Sequence, residues 1–242
     1  LNCDEHLRVI ELAVASAAGK IKVLAGTGGN ATEEAIYLTQ EAEKRGVDGS
    51  LQVAPYYNKP SQEGLYQHFK AIADATKLPI ILYSIPGRCG VAIEVGTVQH
   101  LAESCPNIVG IKEAGGDADR VSQLRHGLGN DFIILSGDDG LTLPFMSVGA
   151  QGVISVASNI IPEKIVAMVK HFSAGQMSEA LSIHQHFYQL FKTLFIETNP
   201  VPVKEALHLM GQVDSEMRLP LVPLADANRQ QLRAVLSAHG LI

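Results

Sequence analysis

Short apolar runs alternate with segments of helical periodicity along most of the chain. The runs are IKVLA at 21–25, SLQVA at 50–54, PIILY at 79–83, NIVGI at 107–111, DFIIL at 131–135 and GVISV at 152–156. Nearly continuous apolarity over such short stretches is typical of parallel strands that are covered on both faces. The pattern therefore predicts six βα units in series.

The segments between the runs carry signals for the beginning and the end of helices. In the segment 31–46, Thr32 is the expected N-cap, glutamates follow it, and Gly46 is the expected end. In the segment 61–77, Ser61 is the expected N-cap and apolar residues recur on one face. These segments are therefore predicted to be amphipathic helices.

The order of the elements indicates the architecture. Six βα units in series favour an α/β fold of the (β/α)8 barrel type, with an open doubly wound sheet as the alternative. The chain begins inside a helix, because four apolar residues share one face with no strand before them: Leu7, Ile10, Val14 and Ala17. We therefore expect the first barrel strands to be absent from this chain. The later pattern is entirely helical, which predicts a catalytic barrel over 1–175 and a C-terminal helical domain over 176–242.

Composition and charge narrow the choice of partners. The 242 residues carry a formal charge of −6 and their 19 lysines and arginines are dispersed, which argues against nucleic acid and favours small molecules or proteins. No apolar stretch approaches the roughly 20 residues that a membrane span needs. The three cysteines show no C-x-x-C spacing, so we expect a reducing, cytoplasmic setting. The histidines are scattered, and no metal site is expected.

One lysine lies at a strand end, where the catalytic groups of a barrel project. Lys112 directly follows the run NIVGI, so its stem is expected in an apolar barrel mouth where loss of water favours the neutral amine. A neutral amine attacks the carbonyl of a 2-oxo acid and forms a Schiff base, which acts as an electron sink. The alternative is a structural ion pair of Lys112 with Glu113 or Asp138.

Two further residues fit the same chemistry. Tyr83 ends the preceding strand, so its hydroxyl is placed to shuttle the protons that Schiff-base formation requires. Arg88 follows it in the next loop and offers a fork that suits a carboxylate. The alternatives are a Tyr83 hydroxyl bonded to a backbone carbonyl and a solvated Arg88. Together with Lys112, they form a coherent catalytic hypothesis.

The motif GTGGNA at 26–31 follows a strand and precedes a helix, which also fits a dinucleotide site. Such a site needs an acidic residue at the carboxyl end of the next strand to hold the ribose. Asp48 lies at the beginning of that strand instead. A tight βα turn is therefore the preferred interpretation.

Five motifs in this order and spacing resemble the pyruvate-dependent class I aldolase family, which includes dihydrodipicolinate synthases and N-acetylneuraminate lyases: APYYNKPSQEGLYQHFKAIA, LYSIPGR, VGIKEA, LSGDD and GVISV. The resemblance covers essentially the whole chain. It implies a (β/α)8 barrel with a C-terminal helical domain, assembled as a homotetramer that is a dimer of dimers. It also implies condensation of pyruvate with L-aspartate 4-semialdehyde to 4-hydroxy-tetrahydrodipicolinate in diaminopimelate and lysine biosynthesis, with no cofactor besides the covalent pyruvate adduct.

The resemblance implies roles for residues around the pyruvate pocket. Lys112 matches the Schiff-base lysine and Tyr83 a tyrosine of the proton relay. Arg88 matches the residue that binds the carboxylate of the semialdehyde. Gly137 and Ile154 match backbone positions that line the pocket.

The resemblance also implies a subunit interface with a regulatory site. Tyr57 matches a tyrosine that reaches across the tight dimer interface into the neighbouring active site. His6, Asn30, Glu34 and Tyr56 match positions that bind L-lysine as a feedback inhibitor. Their side chains suit the amine and carboxylate of an amino acid, and the alternative is that they are ordinary polar groups of the interface.

Two alternatives remain within this resemblance. One is the activity of the lyase branch, although the Arg88 loop and the segment PYYNKPSQEG favour condensation with a small aldehyde. The resemblance also implies a preceding N-terminal segment with the first strands and a threonine of the proton relay. The second alternative is therefore a truncated, non-catalytic protein that binds lysine or assembles without forming a pyruvate adduct.

Overall fold

The computed structural model describes residues 1–242 and contains six strands, hydrogen-bonded to one another in sequence order. The strands are β1 (Leu24–Gly26), β2 (Gly49–Val53), β3 (Ile80–Ser84), β4 (Ile108–Glu113), β5 (Ile133–Ser136) and β6 (Gly152–Val153). The first four run parallel, and their register places Val53 opposite Tyr83 and Tyr83 opposite Lys112. The predicted series of βα units is confirmed.

Helices separate the strands and form the C-terminal part. They are α1 (Cys3–Ala17), α2 (Thr32–Lys44), α3 (Gln62–Asp74), α4 (Pro86–Cys89), α5 (Val95–Ser104), α6 (Ala118–Leu128), α7 (Thr142–Ser147), α8 (Pro162–Ser173), α9 (Met177–Thr193), α10 (Val201–Leu209) and α11 (Asp226–Ala238). A short 3₁₀ helix, Ala157–Asn159, precedes α8. None of these helices combines the length and the hydrophobicity that crossing a bilayer requires.

The first and last strands are shorter than their apolar runs. β1 omits Ile21, a residue that is 69% exposed. β6 ends early because the backbone amides of Val156 and Ala157 each donate to the carboxylate of Asp139 at 3.1 Å. A side chain thus replaces the neighbouring strand as the hydrogen-bond partner, and the chain turns into the 3₁₀ helix.

One predicted helix cap is confirmed and one is wrong. The side chain of Ser61 accepts from the backbone amide of Gly64 at 3.2 Å, as predicted. At α2, however, Ala31 is the N-cap residue and makes no side-chain capping bond. The hydroxyl of Thr32 instead pairs with Nδ1 of the buried His68 at 2.9 Å, which ties the beginning of α2 to α3.

The chain forms two compact units. The first comprises Leu1–Leu135 and Val148–Gln151, and the second comprises Ser136–Ser147 and Gly152–Ile242. The domain boundary expected after residue 175 remains a prediction.

The first unit has an apolar core between its N-terminal helices and the beginning of its sheet. A capping box starts α1, because the side chain of Asn2 accepts from the amide of Glu5 and the Glu5 carboxylate accepts from the amide of Asn2. Buried residues of α1, β1, α2 and the connections to β2 and β3 pack together: Leu7, Ile10, Ala25, Leu38, Ala42, Val47 and Leu78. Their burial removes apolar surface from water and holds α1 and α2 in place.

The second unit is mainly helical, as expected for the C-terminal part. Glu205 on α10 is 2% exposed, and its carboxylate accepts from Nε of Arg229 on α11 at 2.6 Å. The carboxylate of Glu197 accepts from the amide of Ala225 at 3.1 Å and from the side chain of Asn228 at 2.7 Å. These bonds fix α11 against α10 and the segment that precedes it.

Candidate active site

Lys112 and Tyr83 lie side by side near the carboxyl ends of β4 and β3. Their Cα atoms are partners in the parallel ladder, so both side chains extend from the same face of the sheet. The Nζ atom of Lys112 lies 3.9 Å from the centre of the Tyr83 ring. The structure thus brings together the amine and the phenol that were predicted to share one reaction.

The Tyr83 hydroxyl is in an environment that keeps it protonated. Burial raises the pKa of the phenol above its ordinary value, and the nearby positive charge of Arg88 offsets part of this rise. A phenol that retains its proton at neutral pH donates to an oxygen or nitrogen of a reacting group and takes the proton back later.

Glu113 lies on the opposite face of β4 from Lys112 and has its own partners. Its side chain is 0% exposed, and it accepts from Nε of Arg120 at 2.7 Å and from the amide of Gly115 at 2.6 Å. Arg120 also donates to the carbonyl oxygen of Ile93, in the segment between α4 and α5. The ion pair of Glu113 is therefore with Arg120, and it anchors the strand end next to Lys112.

The loop that carries Arg88 contacts the loop that carries Tyr57. Arg88 is exposed on α4, which directly follows β3. Two residues further on, Gly90 has a φ of +74°, and a Cβ there would lie 2.6 Å from Cε of Lys59. The stem of Lys59 therefore occupies the space that a larger residue at position 90 would need.

Tyr57 combines an exposed ring with an unfavourable backbone conformation. Its φ is +74°, a region that residues with a Cβ rarely adopt, and the residue is 91% exposed. The preceding Tyr56 is 44% exposed. Two adjacent aromatic residues thus face solvent at the end of β2, where they were expected to meet a second subunit.

The four residues predicted to bind lysine surround the loop at 26–31. Nε2 of His6 donates to the carbonyl oxygen of Gly26 at 2.8 Å. Asn30 donates from its side chain to the carbonyl oxygen of Tyr56 at 3.3 Å. Glu34 is exposed in the first turn of α2, directly after the loop. The imidazole of His6 and the side-chain amide of Asn30 therefore bond at this loop, the backbone of Tyr56 is bonded to Asn30, and Glu34 follows directly.

A buried polar network attaches this loop to β2. Its members are Thr27, Thr39, Ser50 and Gln52. The amide nitrogen of Gln52 lies 2.7–2.9 Å from the hydroxyl oxygens of the other three. Above the network, a Cβ on Gly28 would overlap the backbone nitrogen of Val53. This close approach explains why position 28 is a glycine, and it fits the preferred interpretation of the motif as a tight βα turn.

Gly137 and Ile154 lie at neighbouring strand ends in the second unit. The amide of Ile154 donates to the carbonyl oxygen of Ser136 at 2.9 Å, which places Ile154 beside the residue before Gly137. Asp138, proposed above as an alternative partner of Lys112, accepts from the amide of Gly140 at 2.7 Å. Its carboxylate therefore caps the turn into α7.

Sequence reasoning missed three residues that shape these loops. Asp139 is 1% exposed, and besides two backbone amides it accepts a hydrogen bond from the hydroxyl of Ser155. Arg120 links the end of β4 to the segment after α4, and Asn58 links the loops after β1 and β2. Asp139 and Asn58 are polar residues shortly after strands and Arg120 lies on α6, and such positions do not identify the partner of a side chain.

The histidines form no metal centre. No group of three or more His, Cys, Asp and Glu side chains in residues 1–242 is arranged to hold a metal ion. His186 pairs with His239, with 3.4 Å between the ring nitrogens, whereas the ring of His184 lies 5.8 Å from that of Tyr188. The two histidines of α9 therefore lie beside different neighbours.

Comparison with known proteins identifies the relatives of this chain. Residues 1–239 match the model of the dihydrodipicolinate synthetase family. The 4-hydroxy-tetrahydrodipicolinate synthase of Persephonella marina is 54% identical over 243 residues, which cover all of this chain and 83% of that protein. The solved 4-hydroxy-tetrahydrodipicolinate synthase of Methylacidiphilum fumariolicum SolV is 57% identical with a TM-score of 0.97, covering 98% of this chain and 79% of that one.

Two other solved relatives were determined with small molecules. The synthase of Cyanidioschyzon merolae, described with lysine bound, is 45% identical with a TM-score of 0.97 and covers all of this chain and 82% of its own. The chloride-inhibited synthase of Acinetobacter baumannii, complexed with pyruvate, is 46% identical with a TM-score of 0.97 and covers all of this chain and 83% of its own.

Proposed function

This chain belongs to the dihydrodipicolinate synthetase family, and from that premise we propose that it condenses pyruvate with L-aspartate 4-semialdehyde through a Schiff base on Lys112. The product is 4-hydroxy-tetrahydrodipicolinate, in the biosynthesis of diaminopimelate and lysine. The observation that carries this proposal is the Nζ atom of Lys112 lying 3.9 Å from the Tyr83 ring at the carboxyl ends of two paired strands.

The proposed reaction begins at the amine. Neutral Lys112 attacks the C2 carbonyl of pyruvate, and the resulting carbinolamine loses water to give an iminium ion. Tyr83 donates the proton that lets the hydroxyl leave as water. Loss of a proton from C3 of the adduct then gives an enamine, and its C3 attacks the aldehyde carbon of the second substrate, which restores the iminium and leaves a hydroxyl on the former aldehyde carbon. The amino group of the semialdehyde then attacks C2 and displaces the Lys112 amine, which closes the ring and frees the enzyme. No cofactor takes part, because the iminium nitrogen accepts the electron pair.

The remaining assigned residues bind the substrates or pass protons. Arg88 is exposed on α4 next to Tyr83 and pairs with the carboxylate of the semialdehyde. Gly137 and Ile154 supply the backbone that lines the pyruvate pocket, and Tyr57 passes protons in the active site of a neighbouring subunit. The pyruvate complex of the Acinetobacter baumannii relative supports pyruvate as the first substrate.

Feedback inhibition by L-lysine is part of the proposal. His6 and Asn30 bond at the loop 26–31, Glu34 follows it directly, and the backbone of Tyr56 is bonded to Asn30. A relative with the same fold was solved with lysine bound. Glu34 pairs with an ammonium group of the inhibitor. Isothermal titration calorimetry with L-lysine should give binding to the wild type and weaker binding to Glu34→Gln. Equal affinities for L-lysine would show that Glu34 does not contribute to the inhibitor site.

The proposed assembly is a homotetramer in the cytoplasm. The exposed rings of Tyr56 and Tyr57 offer one surface for a second copy of the chain. On α9, Met177, Leu181 and Tyr188 are each about half exposed at a spacing that places them along one stripe, which offers another. All three cysteines are free, in keeping with a reducing compartment. Sedimentation equilibrium should give the mass of four chains, and a monomer would contradict this assembly.

Trapping of the Schiff base tests the proposed function. The protein is incubated with pyruvate and sodium borohydride, and its peptides are examined by mass spectrometry. We expect a reduced pyruvate adduct on Lys112 in the wild type and in the control Lys70→Arg, and none in Lys112→Arg. Consumption of the semialdehyde, and no cleavage of N-acetylneuraminate, would then identify the synthase rather than the lyase activity. A folded wild type without an adduct would reject the proposal.

A further inference from the structure

The backbone at Tyr57 forms a strained γ-turn. The amide of Asn58 donates to the carbonyl oxygen of Tyr56 at 3.0 Å, and the residue between them has a φ of +74°. This combination defines the γ-turn with positive φ, which is rare because it brings the Cβ close to the backbone. Such a conformation persists only when surrounding contacts hold it.

Two side-chain amides supply those contacts. The side chain of Asn58 donates to the carbonyl oxygen of Asn30 at 2.9 Å, and the side chain of Asn30 donates to the carbonyl oxygen of Tyr56 at 3.3 Å. The two asparagines therefore join the loops after β1 and β2 on both sides of the γ-turn. We call this pair of bonds the asparagine clasp.

The loop at the other end of the clasp is itself fixed. The amide of Thr27 donates to the carbonyl oxygen of Leu51 at 3.2 Å, and its buried hydroxyl belongs to the polar network of β2. Gly28 lies directly against the backbone of that strand. The loop at 26–31, to which Asn58 bonds, is therefore held in place by β2 and does not move with the Tyr57 loop.

We infer that Asn58 is a positioning residue: through Asn30 it holds Tyr57 in the strained γ-turn and so directs the Tyr57 hydroxyl. This inference rests on the proposed function, since the hydroxyl matters for turnover only if it passes protons in a neighbouring active site. Asn58 itself does not touch the reacting atoms. Its loss should therefore act through Tyr57 alone.

Enzyme kinetics test this dependence. Asn58→Asp keeps the shape of the side chain but removes the donor to Asn30, and we expect kcat to fall roughly 10–100-fold, as for other small misplacements of catalytic groups. The KM for pyruvate should stay within about twofold, because binding of pyruvate does not use the Tyr57 loop. The control Asn159→Asp removes a comparable bond, from an exposed asparagine to the carbonyl oxygen of Val156, and should leave both constants unchanged.

A double-mutant cycle separates positioning from general structural damage. In a Tyr57→Phe background there is no hydroxyl to direct, so Asn58→Asp should lower kcat no further. An undiminished loss in that background, or an unchanged kcat in the single variant, would overturn the inference.

Hydrogen exchange measures the clasp without relying on activity. The amide of Asn58 closes the γ-turn, so peptides that contain residues 54–59 should exchange at least about tenfold faster in Asn58→Asp, with the rest of the chain unchanged. Unchanged exchange would overturn the inference even if the enzyme is active. If the wild type shows no synthase turnover, the proposed function fails, and the exchange result alone still decides whether the clasp holds the turn.

Discussion

Lys112 and Tyr83 face each other across two hydrogen-bonded strands, with the lysine Nζ 3.9 Å from the centre of the ring. The register of β3 and β4 makes the two residues partners in the ladder and so places their side chains on one face of the sheet. A slip by one residue would move one of the two side chains to the opposite face of the sheet. The catalytic hypothesis therefore depends on strand register as much as on residue type.

Tyr83→Phe should slow formation of the pyruvate adduct and lower kcat by roughly 10²–10⁴-fold, because the ring face over Lys112 remains but the proton donor is lost. Rapid quenching with borohydride measures the rate of adduct formation. The control Tyr66→Phe keeps the ring that stacks on His100 at 4.0 Å and should behave as the wild type. A wild-type rate in Tyr83→Phe would exclude the hydroxyl from the relay.

Arg88→Ala should separate the two substrates. The KM for the semialdehyde is expected to rise roughly 10–100-fold, because one charge-assisted contact to its carboxylate disappears. Trapping of pyruvate on Lys112 should continue, since pyruvate binds before the second substrate. Steady-state kinetics give the KM for each substrate separately. The control is Arg8→Ala, which breaks an exposed ion pair with Glu11. Equal loss for both substrates would contradict the assignment.

Arg120→Ala should destabilise the first unit by roughly 3–5 kcal/mol, because the carboxylate of Glu113, 0% exposed, would lose its charged partner. Urea unfolding measures the change. Lys70→Ala breaks the exposed pair with Asp74 and should cost less than about 1 kcal/mol. Similar losses of stability for the two variants would show that the buried ion pair contributes no more to stability than the exposed one.

His68 should make stability fall in mild acid. Burial lowers the pKa of its imidazole from 6.5 to about 4, and its Nε2 is buried without a partner. Below about pH 6.5 the unfolded chain binds a proton that the folded protein does not, so the stabilisation present above this pH is lost as the pH falls toward about 4.

The loss attributed to His68 is on the order of 3 kcal/mol over this range. His68→Asn keeps a polar partner for Thr32 but cannot titrate, so its unfolding free energy should fall less steeply between pH 6.5 and pH 4. Urea titrations of both proteins at several pH values provide the comparison. If the unfolding free energies of the two proteins fall in parallel with pH, His68 takes up its proton at the same pH in the folded and unfolded states.

Gly110 and Gly96 should respond to alanine in opposite directions. A Cβ on Gly110 would lie 2.6 Å from the carbonyl oxygen of Ile133 and 2.8 Å from Cδ1 of Ile81, so Gly110→Ala should cost roughly 1–3 kcal/mol. Gly96 on α5 has no atom within 4 Å of such a Cβ, and alanine there should stabilise by about 0.5–1 kcal/mol. Thermal unfolding of both variants checks the contrast.

Local pattern was sufficient for the elements and for the order of the fold. Five-residue apolar runs and amphipathic segments predicted the βα series, and the barrel class is confirmed by the solved relatives. The errors lie at element ends, where Asp139 replaces a strand partner and Thr32 bonds to His68 rather than capping α2. At these ends a distant side chain competes with the local preference.

The sequence by itself determined that Lys112 and Tyr83 stand at strand ends, because strand periodicity is local and parallel strands in a barrel direct their carboxyl ends to one side. Only the tertiary structure decided their contact, the pairing of Glu113 with Arg120 and the clasp between Asn30 and Asn58. Each of these depends on register or on a loop conformation that residues far apart in the chain impose on one another. A pattern of polar and apolar positions specifies which face a residue occupies, whereas its partner is selected by packing of the whole unit.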